Sequence, residues 1–138
     1  MPSLGERLAS VLGEILPVEE ESDGALTVRH DGTFASLRVL AIVEDLDLVS
    51  LNQMLAWDLP LNEKIRDLVA EQARQTMLGS VTLVEKVSAK GAKRDSGKTG
   101  DVLLRYNFPG TGLTDDALRT LILMVLEKGA DIRRLLTA

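Results

Sequence analysis

Residues Leu61 to Val87 read LNEKIRDLVAEQARQTMLGSVTLVEKV, and the period of their apolar side chains changes part-way along. Leu61, Ile65, Leu68, Val69, Gln72, Ala73 and Thr76 recur at helical spacing, while Lys64, Arg66, Asp67, Glu71 and Arg74 face elsewhere. Asn62 is placed to cap this helix and Gly79 to end it. From Ser80 the period is two, with Val81, Leu83 and Val87 alternating against Thr82, Val84 and Lys86. A strand that leaves a helix so abruptly must lie close to it, so the helix covers a sheet. The rest of the chain then supplies more strands for that sheet and more helices for that cover.

Upstream, strands are expected at Ala25–His30 and Thr33–Val43, joined by Asp31-Gly32, whose left-handed backbone suits the twist of a tight hairpin. That turn pairs His30 with Thr33, Val28 with Ala35 and Leu26 with Leu37. Leu26, Val28, Ala35, Leu37, Val39 and Val43 then share the face beneath the helices. Arg29, Phe34, Ser36 and Arg38 take the other face, which turns apolar at Leu40 and Ile42. Glu44–Asp47 reads as an acidic turn. Leu48–Trp57 has two readings: Leu48, Leu51 and Leu55 suit a helix capped by Asp47, yet Val49, Leu51, Gln53, Leu55 and Trp57 alternate as in a strand. Pro60 and the better helix beyond it favour the strand. A helix there would leave four strands.

At the N-terminus, Ser3 and Glu6 stand at capping-box spacing before a helical stripe of Leu4, Leu8, Val11, Leu12 and Ile15, which Pro17 stops. Glu19–Gly24 reads as a polar connection. Downstream, Ser88–Gly100 carries three glycines and four basic residues and reads as a mobile hairpin loop. Asp101–Phe108 resumes alternation, with Val102, Leu104, Tyr106 and Phe108 on one side. Pro109–Gly112 breaks that strand, and Thr114 caps a last helix with Asp115 and Asp116 at its positive end. Leu113 against Leu118 forms a hydrophobic staple, and Leu118, Leu121, Ile122, Val125 and Leu126 form the buried stripe. Gly129 is expected to interrupt this helix, with Ile132–Leu136 adding a turn. The fold expected is one α+β domain over residues 1–138, of order α-β-β-β-α-β-β-α. Its antiparallel sheet has about five strands with helices packed on one face, because hairpins rather than crossovers join the strands.

The 138 residues, 45% hydrophobic and 27% charged, suit a globular domain, and only 3% are aromatic, so the core must be aliphatic. A net charge of −5 repels nucleic-acid backbones and anionic membranes, which excludes both as partners. With no cysteine there is neither a disulfide nor a thiolate metal site. The N-terminus lacks the basic start and apolar run of a signal peptide, and no apolar run reaches the ~20 residues that cross a bilayer. A cytoplasmic location is expected.

Little in the chain carries chemistry. Gly91–Thr99 resembles a phosphate-binding loop, but that loop needs four residues between its glycines and here there are five. It also leads into a strand where such a loop opens a helix. His30 is the sole histidine, so two imidazoles cannot share a metal within one chain, and beside Asp31 it reads as a turn residue. The runs Glu19–Asp23 and Glu44–Asp47 lack the ligand spacing of a calcium loop and read as solvated turns. No catalytic, cofactor or metal residues are therefore expected, and no enzyme. Trp57 is either a core residue or a partner anchor, since Trp is over-represented at binding hot spots. Gln72, central on an apolar helix face, is either a satisfied core group or a group facing a second subunit.

Leu55-Ala-Trp-Asp-Leu-Pro60, Val102-Leu-Leu-Arg-Tyr-Asn-Phe-Pro109 and Gly112-Leu-Thr-Asp-Asp-Ala-Leu118, set in this order of elements, resemble the type III secretion chaperone-like fold. Within it they resemble the YbjN-like proteins, from Leu4 to Leu136. The basic loop at Ser88–Gly100 and the Gln72 face depart from that pattern. The resemblance implies a dimer that binds a protein segment, or a sensory transduction regulator, and it brings no catalytic motif. The function expected is a non-enzymatic protein-binding module, chaperone-like or regulatory, whose partner the sequence does not name. The rival is a small ligand-binding protein or enzyme with a pocket of scattered polar residues. An apolar groove or strand edge favours the first, and a deep pocket of convergent polar groups the second. An open sheet with one face covered leaves Phe34, Leu40 and Ile42, joined by Trp57, for a partner. A homodimer is the expected cover, with the Gln72 helix face as the competing surface.

Overall fold

The computed structural model describes residues 2–87 and 98–138. In chain order they form α1 (Leu4–Gly13), β1 (Val18–Glu20), β2 (Leu26–His30), β3 (Thr33–Val43), β4 (Leu46–Pro60), α2 (Glu63–Gln75), β5 (Ser80–Val87), β6 (Lys98–Pro109) and α3 (Asp115–Leu136). The basic loop and the phosphate-loop look-alike fall outside the described residues, apart from Lys98–Gly100, which open β6.

Each helix starts where its cap predicts. Ser3 Oγ accepts from the Glu6 amide at 3.1 Å, while the Ser3 amide donates to the Glu6 carboxylate at 2.8 Å. Asn62 and Thr114 accept in the same way from the amides of Ile65 and Ala117. Helix ends depart further from expectation. Because α1 stops at Gly13, Ile15 lies beyond the packed stripe and is exposed. Thr76, not Gly79, caps α2, and Ala73 is exposed. Gly79 makes the tight entry to β5 at φ +86°, where a side chain would strike the Arg105 carbonyl.

The six strands form one antiparallel sheet of order β1-β2-β3-β4-β6-β5. Leu48–Trp57 is a strand, the middle of a 15-residue β4. One strand more is present than the five expected: Val18–Glu20 pairs with β2 inside a stretch that reads as a connection. Three residues are too few to display a period of two. The Asp31-Gly32 hairpin has the expected register, with φ of +46° and +84° at its turn.

All three helices pack on one face. There Val28, Ala35, Leu37, Val49, Leu51, Leu55, Val102 and Leu104 meet Leu8, Leu12, Ile65, Val69, Leu118, Ile122 and Leu126. Val43, expected on this face, is 63% exposed, because a bulge between Ala41 and Val43 shifts the register past the helical cover. Helix α3 also runs unbroken through Gly129 for 22 residues. The glycine has a packing role, since a Cβ there would collide with the amide of Gln53. Gln53 is fully buried at the centre of β4, and its Nε2 donates to Thr33 Oγ1 at 2.9 Å and to the Leu126 carbonyl at 3.2 Å.

Candidate functional site

Among the described residues, nothing covers the side of the sheet opposite the helices, and the ladder register sets its composition. Arg29, Phe34, Met54, Leu103 and Thr82 make one row across it. The next rows are polar: Thr27, Ser36, Asn52 and Arg105, then Arg38, Ser50 and Asn107. The last row is apolar again, with Leu40, Leu48 and Pro109. Arg105 Nε donates to Asn52 Oδ1 at 3.0 Å across the polar belt.

The expected single patch is therefore two apolar ends. At one end the rings of Phe34 and Trp57 lie 5.9 Å apart, tilted, and are 40% and 43% exposed. Trp57 reaches Phe34 because β4 is bulged after Met54, which places Leu55 and Ala56 both inward and the next side chain outward. The Arg133 guanidinium stands 5.0 Å from the Trp57 ring centre, held there by a 2.9 Å bond from its Nη1 to the Leu55 carbonyl. Leu40 and Ile42 lie at the other end of β3, about 20 Å and about 26 Å from Phe34 at the usual strand rise, and both are exposed. Gln72 is at neither end. It is buried on α2, with its amide oxygen 3.4 Å from Lys128 Nζ of α3.

An ion cluster flanks the aromatic end. Lys86 Nζ sits 2.7 Å from Asp58 and 3.0 Å from Asp101, and the Asp58 amide donates to Asp101 at 3.0 Å. Burial pushes the Asp101 carboxyl up, but the Asp58 amide and Lys86 together outweigh it and hold the group below its ordinary value. The same two carboxylates raise Lys86. Nothing in the sequence spacing announces this trio, whose members come from three separate strands.

Two other groupings take the polar residues weighed in the sequence. His30 Nε2 lies 2.8 Å from Glu127 and 3.8 Å from Asp31, tying the hairpin to α3. A cleft of about 650 Å³ opens between α1 and the β1–β2 turn along β3. Its Arg38 is already engaged by Asp23 at 2.8 Å, and the Ala25 amide together with Arg38 keeps that carboxyl below its usual range. It is open to solvent and floored by Leu26, Leu37 and Val39, which is not the deep convergent pocket of the rival reading. Among the described residues, no helix is long and apolar enough to cross a membrane.

No family model and no curated protein sequence matches the chain. Comparison of structures finds YbjN from E. coli, described as a candidate transcription regulator, with a TM-score of 0.58 and 12% identity. The likeness covers 96% of this chain and 89% of that one. The chain has a YbjN-like fold. At that identity the likeness to YbjN is one of architecture, and it carries over neither residues nor activity. It agrees with the resemblance drawn from the motifs of β4, β6 and the start of α3.

Proposed function

We propose that the chain is a non-enzymatic protein-binding module, chaperone-like or regulatory, working as a homodimer through the uncovered face of its sheet. One observation carries this reading: among the described residues the sheet is buried on one side only, and an aromatic pair stands about two-fifths exposed on the other. A partner desolvates rings of this kind at little entropic cost, and Trp backed by a guanidinium is the kind of anchor that dominates interface energies. The YbjN-like fold and that protein's description as a regulator support the regulatory variant. A net charge of −5 directs the regulation to proteins, not to nucleic acid. A second copy covers the face with the fewest new features, since a two-fold axis uses one patch twice.

The test is affinity capture from the native host with wild type and Phe34→Asp side by side. Recovery of one stoichiometric protein by wild type, lost with Phe34→Asp, supports the reading. Equal recovery by both contradicts the use of this face.

A further inference from the structure

Strand β3 outruns its neighbour. Its pairing with β2 ends at Leu26 opposite Leu37, whereas its pairing with β4 continues to Val43. Arg38–Val43 is thus a free edge of about 20 Å at the usual strand rise, set back in a step of the sheet. In an antiparallel ladder every second residue turns its N–H and C=O away from the paired side. Among the described residues, no other hydrogen bond takes up those groups. The cleft of about 650 Å³ runs beside the same edge, with Leu8 and Ala9 of α1 as its wall and Glu6, Glu20 and Asp23 on its rim.

We propose that this edge and cleft accept an extended, basic segment of a partner protein, added to β3 as a further strand. Alternate side chains of such a strand enter the cleft against Leu8, Ala9 and Val39, and the others lie beside exposed Leu40. Charge selects the occupant. Three carboxylates line the rim, and Arg38 answers only Asp23, so lysines or arginines flanking the incoming strand meet unmatched acid. A second copy of this chain fits badly here, because its own edge ends in Glu44-Asp45 and brings acid to acid. The inference rests on the reading of the chain as a binding module, and it is independent of the dimer.

The probe is the end-capped peptide Lys-Val-Lys-Val-Ser-Val-Lys, titrated into the isotope-labelled full chain with amide chemical shifts as the readout. Shifts are expected at Arg38–Val43 and at Gly5–Ala9, with affinity falling about tenfold or more when glutamate replaces the lysines. Two further peptides carry methyl groups on alternate backbone nitrogens, in opposite phases. The phase that faces β3 loses binding by about tenfold or more and the other retains it, a split that only strand addition produces. Equal binding of the acidic peptide, or of both methylated forms, overturns the proposal. So does the absence of shifts at millimolar peptide. Shifts confined to the Phe34–Trp57 end overturn the edge while leaving the binding module standing.

Discussion

Gln53 and Gly129 are a pair that only the folded chain reveals. In the sequence Gln53 alternates with apolar neighbours and Gly129 reads as a break in a helix. In the structure the glycine is a notch that admits the amide into the core. Gly129→Ala is expected to destabilise by about 1–3 kcal/mol, as overpacking does in a filled interior. Adding Gln53→Ala should make that methyl far less costly, so urea unfolding of the double variant will be non-additive. Additive losses would remove the notch. The Lys86–Asp58–Asp101 cluster gives a pH signature of known sign. Asp101 has a folded pKa below its ordinary value of 3.8, so its contribution is present above that pH and disappears as pH falls beneath it. Lys86 is raised above 10.5, so its contribution is complete below that pH and is lost as pH rises through the folded value. Melting curves of Asp101→Asn against wild type should therefore differ at neutral pH and converge only once pH has fallen through the folded value, which lies below 3.8. A gap that persists there contradicts the assignment.

Turns and caps were the most legible elements because their chemistry is local. Asp31-Gly32 alone dictates the register of β2 on β3, and Ser3, Asn62 and Thr114 each mark a helix start that the structure has. Elements defined by distant partners were not legible. Val18–Glu20 becomes a strand only because β2 presents an edge to it, and the bulges at Ala41 and after Met54 answer to the ladder. The second bulge turns Trp57 outward to Phe34, whereas a strict period of two would have turned it inward in phase with Leu55. At the hairpin, Gly32 has φ +84° and its α-carbon faces Arg133, the residue that also backs Trp57. Gly32→Ala is expected to cost about 1–2 kcal/mol from the left-handed backbone. It should also displace Arg133 and so shift the Trp57 fluorescence. A destabilised variant with unchanged emission would separate the turn from the aromatic end.

At the scale of the molecule, the strand pattern indicated a sheet covered on one side. Which apolar residues stand together on the open side depended on the register of four strands at once. The sequence therefore joined Phe34 with Leu40 and Ile42, where the structure divides them by a polar belt and leaves Gln72 inside. The proposed homodimer buries the aromatic end of this face against a second copy. Sedimentation equilibrium at micromolar concentration measures it directly. A mass of about twice the 15.0 kDa chain is predicted for wild type, falling to 15.0 kDa for Phe34→Asp with its fold intact by circular dichroism. A single 15.0 kDa species of wild type down the whole gradient would contradict the homodimer.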